Sequence, residues 1–312
     1  MDDRKNKTDL VPMVSISCIT YNHAPYIREC LDGFMMQKTN FAFEVLIHDD
    51  ASTDGTADII REYEAKYPDI IKPIYQTENQ YSKGISPSAS FNFPRAKGKY
   101  IALCEGDDYW TDPLKLQKQV DFLESHPDYV MCSHRFKQYI QDEHRFIKDW
   151  YTDKYNYIDY DWNSFVKFEY WYAQTLSILF RRKALDLSLY AKYKIQRDLI
   201  LIYNLLKSGK GCLFSDVMAV YRKHSTGIWT GNNLAQNRTS DIKACICLYD
   251  TERTPNSAIM LFNRLNGCKY VGLRYFVKNY KLLIKAFVII VKCFGLKAGV
   301  CVFYKMMNFI NK

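Results

Sequence analysis

The stretch Ala102-Leu-Cys-Glu-Gly-Asp-Asp-Tyr-Trp-Thr-Asp-Pro113 decides how the rest of the chain is interpreted. Before its acidic centre, Gly98-Lys-Tyr-Ile-Ala-Leu-Cys104 is short, apolar and introduced by a glycine, which predicts a buried β-strand. After it, Pro113 opens a pattern of apolar residues over three turns, which predicts a helix. Asp107 and Asp108 therefore lie where a strand ends and the chain turns towards a helix. Open α/β sheets bind their ligands at such strand ends.

The adjacent carboxylates of Asp107 and Asp108 indicate a ligand. Two such groups beside a glycine repel each other unless a cation or a hydroxyl-rich molecule lies between them. Hard divalent cations take oxygen ligands and bridge phosphates well. The pair therefore predicts a site for a metal ion and a diphosphate. A solvated acidic turn that ends in an aspartate N-cap is the alternative.

Composition and charge narrow the class of protein. The chain has 312 residues, 48% of them hydrophobic and 15% aromatic, enough for one large α/β domain with an appendage. Ten scattered cysteines without a Cys-x-x-Cys pair predict free thiols in a reducing cytosol. Residues 1–9 are charged and lack an apolar core, so no signal peptide is expected.

The positive charge is concentrated at the C-terminal end. Of 43 Lys/Arg and 34 Asp/Glu, 12 and 3 lie after residue 240, which leaves 31 of each sign before it. A balanced main domain argues against nucleic-acid binding, because phosphate tracking needs a basic surface. A partner for the basic charge is expected at the C-terminal end.

Strand and helix patterns alternate in the first 75 residues. Strands are predicted at 14–20, 41–47 and 70–75, with helices from Pro25 and from about residue 56 to Tyr67. This order predicts a parallel sheet with helices on both faces. No G-x-G-x-x-G follows the first strand, which argues against a dinucleotide-binding dehydrogenase.

A second acidic pair, Asp49-Asp50, ends the second predicted strand. Capping of the next helix explains Ser52, Thr53 or Asp54. It does not explain two aspartates directly after an apolar strand. An exposed carboxylate here is suited to accept the imide N–H of a uracil ring.

Three segments in this order and spacing resemble family 2 glycosyltransferases with the GT-A fold. They are Val14-Ser-Ile-Ser-Cys-Ile-Thr-Tyr-Asn22, Phe43-Glu-Val-Leu-Ile-His-Asp-Asp-Ala-Ser-Thr-Asp-Gly-Thr56 and Ala96-Lys-Gly-Lys-Tyr-Ile-Ala-Leu-Cys-Glu-Gly-Asp-Asp108. The resemblance implies an α/β fold with a mostly parallel central sheet flanked by helices. It also implies an inverting transferase that uses a nucleotide-diphospho-sugar and a divalent metal, Mg²⁺ or Mn²⁺.

The resemblance also assigns roles to residues at the strand ends. It implies that Asp50 binds the base, with Tyr21 and Thr20 beside it. Asp108 would bind the metal, and Asp107 would lie near the ribose or the metal.

Three further residues are candidates for donor contacts. Lys83, in a loop where the family often has a basic residue, is a candidate for the base or phosphates, and a solvated lysine is the alternative. Tyr109 and Trp110 are candidates for the floor of the sugar pocket, because aromatic faces stack on sugar C–H surfaces. Core packing of the tryptophan is the alternative.

The second half of the chain supplies the remaining candidates. Asp198 opens a predicted helix, and the resemblance implies that it is the catalytic base that takes the acceptor hydroxyl proton. An N-cap is the alternative. The family often shows Glu-Asp here, where this chain has Arg197-Asp198. In a late motif, His224 would complete the metal site or contact the diphosphate, and Arg222 would offset its charge.

The predicted domains are an N-terminal tail (1–12), a GT-A domain (13–236) and a helical basic extension (237–312). The GT-A domain divides into a nucleotide-sugar-binding half (13–135) and an acceptor half (136–236). In the extension, cations share one sector of a helix over 274–292, namely Arg274, Lys278, Lys281, Lys285 and Lys292. This stripe predicts binding to an anionic membrane surface. Packing on its own domain or on a partner chain is the alternative.

The sequence therefore predicts a glycosyltransferase at the cytoplasmic face of the cell membrane. Its expected donor is a nucleotide-diphospho-sugar, with UDP as the expected nucleotide. Its expected acceptor is a glycan or lipid-linked molecule in cell-surface polysaccharide synthesis. A membrane-attached nucleotide-sugar-binding protein without activity is one alternative. A nucleotidyltransferase is less favoured, because no glycine-rich basic loop follows the first strand.

Overall fold

The computed structural model describes residues 11–148, 157–167, 173–227, 231–266 and 278–307. The chain divides into two compact units. The first comprises residues up to 162 together with 172–191 and 204–223. The second comprises 163–171, 192–203 and 224–312.

The described strands all belong to the first unit. In chain order they are β1 (Val14–Thr20), β2 (Phe43–Asp49), β3 (Ile71–Tyr75), β4 (Tyr100–Leu103), β5 (Tyr109–Trp110), β6 (Tyr129–Ile140), β7 (Arg145–Phe146), β8 (Tyr157–Tyr160), β9 (Leu179–Arg181) and β10 (Lys210–Lys223).

The described α-helices range from single turns to five turns. They are α1 (Ile27–Met35), α2 (Thr56–Lys66), α3 (Phe93–Arg95), α4 (Lys115–Ser125), α5 (Trp162–Lys167), α6 (Leu187–Tyr190), α7 (Asp198–Leu206), α8 (Leu234–Glu252), α9 (Pro255–Asn266), α10 (Tyr280–Phe294) and α11 (Leu296–Met307).

The strands form one sheet in the order β3-β2-β1-β4-β9-β6-β10-β5, with β7 beside β6 and β8 beside β10. β1 runs parallel to β2 and β4, and β2 runs parallel to β3. β9 is antiparallel to both its neighbours, and β6 and β10 are again parallel. The predicted α/β fold class is confirmed. Because β1, β2 and β4 point the same way, the turns that follow them meet at one edge of the sheet.

The central strand β1 is buried on both faces. Its apolar side chains alternate with Ser15 and Ser17, and these serines are satisfied by other protein groups. Ser15 Oγ donates to Glu44 Oε1 at 2.6 Å, and Asn92 Nδ2 donates to Ser17 Oγ at 3.1 Å. These hydroxyl groups therefore link β1 to neighbouring segments by hydrogen bonds, and the alternation of serines does not indicate that one face of β1 is exposed to solvent.

Two strands differ in extent from the sequence prediction. β2 runs two residues further than predicted, so Asp49 is part of the strand and pairs with Thr20 of β1. The apolar run Tyr129-Val-Met-Cys132 predicts a strand that ends at residue 132, whereas β6 continues to Ile140 because it pairs with β10. Pairing with a strand more than 80 residues away is a tertiary interaction that local propensity does not report.

The helices of the second unit bury the apolar side of the predicted basic helix. Ala286, Ile289 and Ile290 of α10 are buried, and Lys285 Nζ pairs with Asp250 Oδ2 of α8 at 2.6 Å. This packing favours the alternative in which the helix rests on its own chain. Residues 274–277 of the predicted helix lie outside the described residues. Within the described ranges, no helix is both long enough and apolar enough to span a membrane.

Candidate active site

Hydrogen bonds join the turns that follow β1 and β2. The Asn22 N–H donates to Ser52 Oγ at 2.8 Å, and Asn22 Oδ1 accepts from the Thr53 N–H at 2.8 Å. Asn22 (φ 54°) and Ala51 (φ 64°) both adopt left-handed backbone conformations, which are uncommon for residues other than glycine. The two turns therefore hold each other in a conformation that neither would favour alone.

The end of β1 presents one exposed aromatic ring. Tyr21 is 45% exposed, so part of its side chain is accessible to a ligand, and an aromatic ring is suited to stack on a base. Thr20 is buried. If residue 106 had a side chain, its Cβ would lie only 2.6 Å from Thr20 Oγ1, which is too close for any residue but glycine. Gly106 therefore lets the turn after β4 approach β1. Little of Thr20 remains for a direct contact with a nucleotide.

The expectation of an exposed Asp50 carboxylate is wrong. Asp50 is only 3% exposed, because the loop after β3 folds over it. Its Oδ1 accepts from the Gln80 N–H at 2.8 Å and its Oδ2 from the Tyr81 N–H at 3.0 Å. His48 Nε2 lies 3.2 Å from Oδ1. Burial lowers the pKa of His48, which favours a neutral ring beside Asp50. Asp50 therefore positions the loop, and a contact between Asp50 and the base stays a prediction.

Asp49, its neighbour, is buried with less compensation. It is 2% exposed, and its Oδ1 has no hydrogen-bond partner in the described structure. Burial raises the pKa of this carboxyl, while contacts with Ser52 lower it. At the end of β2, a buried carboxylate with one unpaired oxygen, Asp49, therefore lies directly beside one with both oxygens hydrogen-bonded, Asp50.

Arg222 of β10 neutralises the acidic pair after β4. Its backbone N–H donates to Asp108 Oδ1 at 2.8 Å, and its Nε donates to the Asp107 carbonyl oxygen at 2.9 Å. Its two Nη groups donate to Gln141 Oε1, at 2.5 Å, and to Glu29 Oε2. The guanidinium is buried and is therefore part of the framework. Its described hydrogen bonds all go to protein groups, and the predicted role of Arg222 in offsetting the charge of a diphosphate stays a prediction.

Asp107 and Asp108 are not equivalent. Asp108 is 1% exposed, and burial, Asp107 and Glu105 together hold its pKa well above the ordinary value. The Asp107 side chain is 20% exposed, and its Oδ2 lies 3.8 Å from His23 Nε2. Geometry thus favours Asp107, not the predicted Asp108, as the carboxylate that can meet a metal ion. Carboxylate oxygen and imidazole nitrogen form a donor set that suits Mn²⁺ better than Mg²⁺.

The two aromatic candidates have different surroundings. Tyr109 is partly exposed, and its ring lies 5.1 Å from the Arg222 guanidinium carbon. Trp110 is 1% exposed, and its Nε1 donates to the Leu176 carbonyl oxygen at 2.9 Å. The prediction that Trp110 lines the sugar pocket is not supported, because its ring packs in the core against Phe34. Tyr109 remains available on one side.

Lys83 lies at the end of the short helical turn Tyr81–Lys83, which Asp50 holds in place. Its ammonium group pairs with Glu78, and both side chains are about half exposed. An exposed ion pair contributes little to stability because solvent screens it, so a phosphate can replace Glu78 at little cost. The predicted donor contact of Lys83 stays a prediction.

Asp198 and His224 belong to the second unit. Asp198 is the first residue of α7, its side chain is 26% exposed, and its Oδ1 accepts from the Leu199 N–H at 2.8 Å. The preceding Arg197 is held by Ser240 Oγ at 2.7 Å and by Asp241 at 3.6 Å. His224 directly follows β10 and is buried, with Nδ1 2.8 Å from Thr226 Oγ1. The catalytic and metal-binding roles of these two residues stay predictions.

Two important residues were missed in the sequence. The sequence pattern does not single out His23, although its position three residues after β1 places it at the common strand edge. Glu29, on α1, gave no signal, because its partner Arg222 lies 193 residues later.

The chain was compared with known proteins. The model of the family "Glycosyl transferase family 2" matches residues 15–187. The Mycobacterium tuberculosis protein Rv1520 is 40% identical over 222 residues, which cover 69% of this chain and 60% of that protein. A Bacillus subtilis protein named "Putative teichuronic acid biosynthesis glycosyltransferase TuaG" is 34% identical over 116 residues, 37% of this chain and 44% of that protein.

Among solved structures, residues 1–349 of S. aureus TarS, in complex with UDP-GlcNAc, match with a TM-score of 0.65 at 14% identity. The match covers 95% of this chain and 89% of that chain. At this identity the likeness shows the fold alone.

The family match extends over more than half of the chain and includes the ends of β1, β2 and β4. The chain belongs to family 2 of the glycosyltransferases. It spans about 60% of the length of the mycobacterial relatives that it matches.

Proposed function

We propose that the protein transfers a sugar from a UDP-sugar to a hydroxyl group of a glycan or a lipid-linked acceptor, with inversion. The observation that carries this proposal is the edge where β1, β2 and β4 end. It combines an exposed aromatic ring, Tyr21, with a partly exposed carboxylate, Asp107, beside His23. The likeness in fold to TarS, solved with UDP-GlcNAc, supports a UDP-sugar as the donor.

Asp107 and His23 would hold a divalent metal ion, Mn²⁺ or Mg²⁺. When bound, the ion would offset the negative charge that grows on the leaving diphosphate. The chain's own contribution is to hold Asp107 in place, since Arg222 fixes the backbone of the pair. Tyr21 would stack on the base, and the loop that Asp50 positions would close over it.

Asp198 would act as the general base. The acceptor oxygen attacks the anomeric carbon, the bond from that carbon to the diphosphate breaks, and UDP leaves. Asp198 takes the proton that the acceptor hydroxyl loses. Arg197, where the family often has glutamate, is anchored by Ser240 and Asp241, and its Nε also lies 3.9 Å from Asp198 Oδ1. The Asp198 side chain nevertheless stays 26% exposed.

The proposed setting is cell-surface polysaccharide synthesis at the inner face of the membrane. The similarity to TuaG, whose name refers to teichuronic acid biosynthesis, supports a role in polysaccharide synthesis. For the membrane, the buried side of α10 is already occupied, so the proposal depends on the exposed apolar residues Ile284, Val288, Leu296 and Val300. Exposed Lys281 and Lys292 both lie on α10 and would favour an anionic surface.

The test is a screen of nucleotide sugars by thermal shift with and without Mn²⁺, followed by assays of UDP release with candidate acceptors. Asp198→Asn should keep donor affinity within a few-fold while transfer falls by about 10²–10⁴, the range for positioned proton transfer. Asp216→Asn, which removes an exposed carboxylate, is the matched control and should retain activity. If Asp198→Asn is as active as the wild type, Asp198 is only a helix-end residue. If the wild type binds donors but never releases UDP, the protein is a binder without activity.

A further inference from the structure

A cavity lies at the amino end of β1 and β4, opposite the edge that carries the candidate active site. It has a volume of about 600 Å³ and lies in the first unit, between Val11–Met13, the start of β4 and the end of β9. β9 is antiparallel to β4, so Arg181 pairs with Tyr100 and the two strand ends meet. The seven residues of β1 separate this cavity from the turns at the carboxyl edge by roughly 20 Å. It is therefore distinct from the candidate active site.

The lining of this cavity is strongly basic. None of the described residues that line it is acidic, and five are cationic, namely Lys97, Lys99, Arg181, Arg182 and Lys183. Two of these five cations already interact with other protein groups. Lys99 Nζ pairs with Glu124 at 2.5 Å, and Arg181 donates to carbonyl oxygens, including that of Tyr129 at 2.7 Å.

Three cations remain without a carboxylate. Lys97 and Lys183 are exposed, and within the described structure neither ammonium group has a hydrogen-bond or ion-pair partner. Arg182 donates from Nε to the Gly98 carbonyl oxygen at 2.8 Å, which fixes the guanidinium plane. Its two Nη groups have no described partner. Like charges in one concave site attract an anion, and a fixed guanidinium presents two parallel donors to a phosphate.

The cavity also has an apolar wall. Val11, which is 81% exposed, and the partly exposed Met13 and Leu187 form its accessible part. The buried side chains of Phe93, Ile101 and Leu185 complete the lining. A bare inorganic anion would leave this apolar surface in water. A phosphate ester that carries hydrocarbon chains would cover the wall and the cations together.

We propose that this cavity binds the phosphate head group of a phospholipid. The Arg182 Nη groups, with Lys97 and Lys183, hold the phosphoryl oxygens. The first carbons of the acyl chains lie against Val11, Met13 and Leu187. The site would place the amino edge of the sheet at a lipid surface. It is independent of the donor site and of the tail helices.

The test is a calorimetric titration of the full chain with dihexanoyl phosphatidic acid below its micelle concentration. Dihexanoyl phosphatidylcholine and inorganic phosphate serve as separate arms. Phosphatidic acid should bind at least 10-fold more tightly than either. The variant Lys97→Gln/Lys183→Gln should weaken this binding at least 10-fold, and its affinity for UDP should stay unchanged, which separates the site from the proposed donor site.

The matched control is Lys38→Gln/Lys66→Gln, which removes the same charge from two exposed lysines outside the cavity. This control should bind phosphatidic acid like the wild type. The proposal is overturned if the wild type does not bind, if the cavity variant binds equally well, or if the control loses as much. Equal affinity for inorganic phosphate and phosphatidic acid would overturn the lipid assignment, because the apolar wall would then contribute nothing.

Discussion

Two Asp-Asp pairs lie at the same edge of the sheet, one at the end of β2 and one in the turn after β4, and the two pairs have different environments. In each pair the second residue is buried and accepts a backbone N–H from a distant segment. Asp50 accepts from Gln80 and Tyr81, and Asp108 accepts from Arg222. The first residues differ. Asp49 is buried with an oxygen that has no described partner, whereas Asp107 is partly exposed near His23.

The difference follows from what crosses each strand end. The loop after β3 returns over β2 and supplies backbone donors without charge. β10 brings Arg222 to the end of β4, where its guanidinium bonds the Asp107 carbonyl oxygen, and the Asp107 side chain stays 20% exposed. Two identical dipeptides therefore become a loop anchor and a candidate metal-binding group. Three substitutions test this contrast.

Asp107→Asn should have the largest effect. It removes a charged ligand and keeps the shape, so we expect metal-dependent donor binding to be lost and kcat/KM to fall by about 10²–10³, the range for one electrostatic group at a reacting centre. Calorimetry with UDP, with and without Mn²⁺, measures the first quantity. Asp108→Asn is the matched comparison and should retain metal dependence. If the two variants exchange these results, the metal ligand is Asp108, as the sequence had predicted.

Asp50→Asn should act on stability first. The amide nitrogen of asparagine would face one of the two backbone N–H donors and leave it unpaired, at a cost of about 1–3 kcal/mol in the free energy of unfolding. Urea denaturation measures this loss. Asp69→Asn, in an exposed turn, is the control and should change stability little. Unchanged stability together with lost UDP affinity would instead make Asp50 a direct ligand of the base.

Asp49→Asn should have the smallest effect and the opposite sign. It replaces a buried carboxylate, one oxygen of which has no described partner, so we expect a gain on the order of 1 kcal/mol at pH 7. Burial raises the pKa of the Asp49 carboxyl in the folded protein above its ordinary value of 3.8. In the pH window between 3.8 and this raised pKa, the folded wild type therefore binds more protons than the unfolded chain. The wild type loses stability as pH rises through this window. The gain should therefore be complete above this window and disappear below pH 3.8. Destabilisation with lost UDP affinity would show that Asp49 serves a ligand.

The sequence by itself determined the family, the order of the first strands and helices, and the positions of both aspartate pairs. The family and the fold class are confirmed. These features are local, because strand alternation, a turn glycine and a helix-starting proline act over a few residues. The predicted domain boundaries and the roles of Asp198, Lys83 and His224 stay predictions.

Only the tertiary structure decided which carboxylates are exposed. Trp110 gave the same aromatic signal as Tyr109, and its burial depends on Phe34 and Leu176, which come from other parts of the chain. Arg222 reaches the acidic pair from more than 110 residues away. Exposure and pKa depend on the sum of all neighbours in space, and a local pattern contains only the neighbours in sequence. For this reason the sequence located the acidic pairs, and the packing of β10 and of the loop after β3 assigned them different environments.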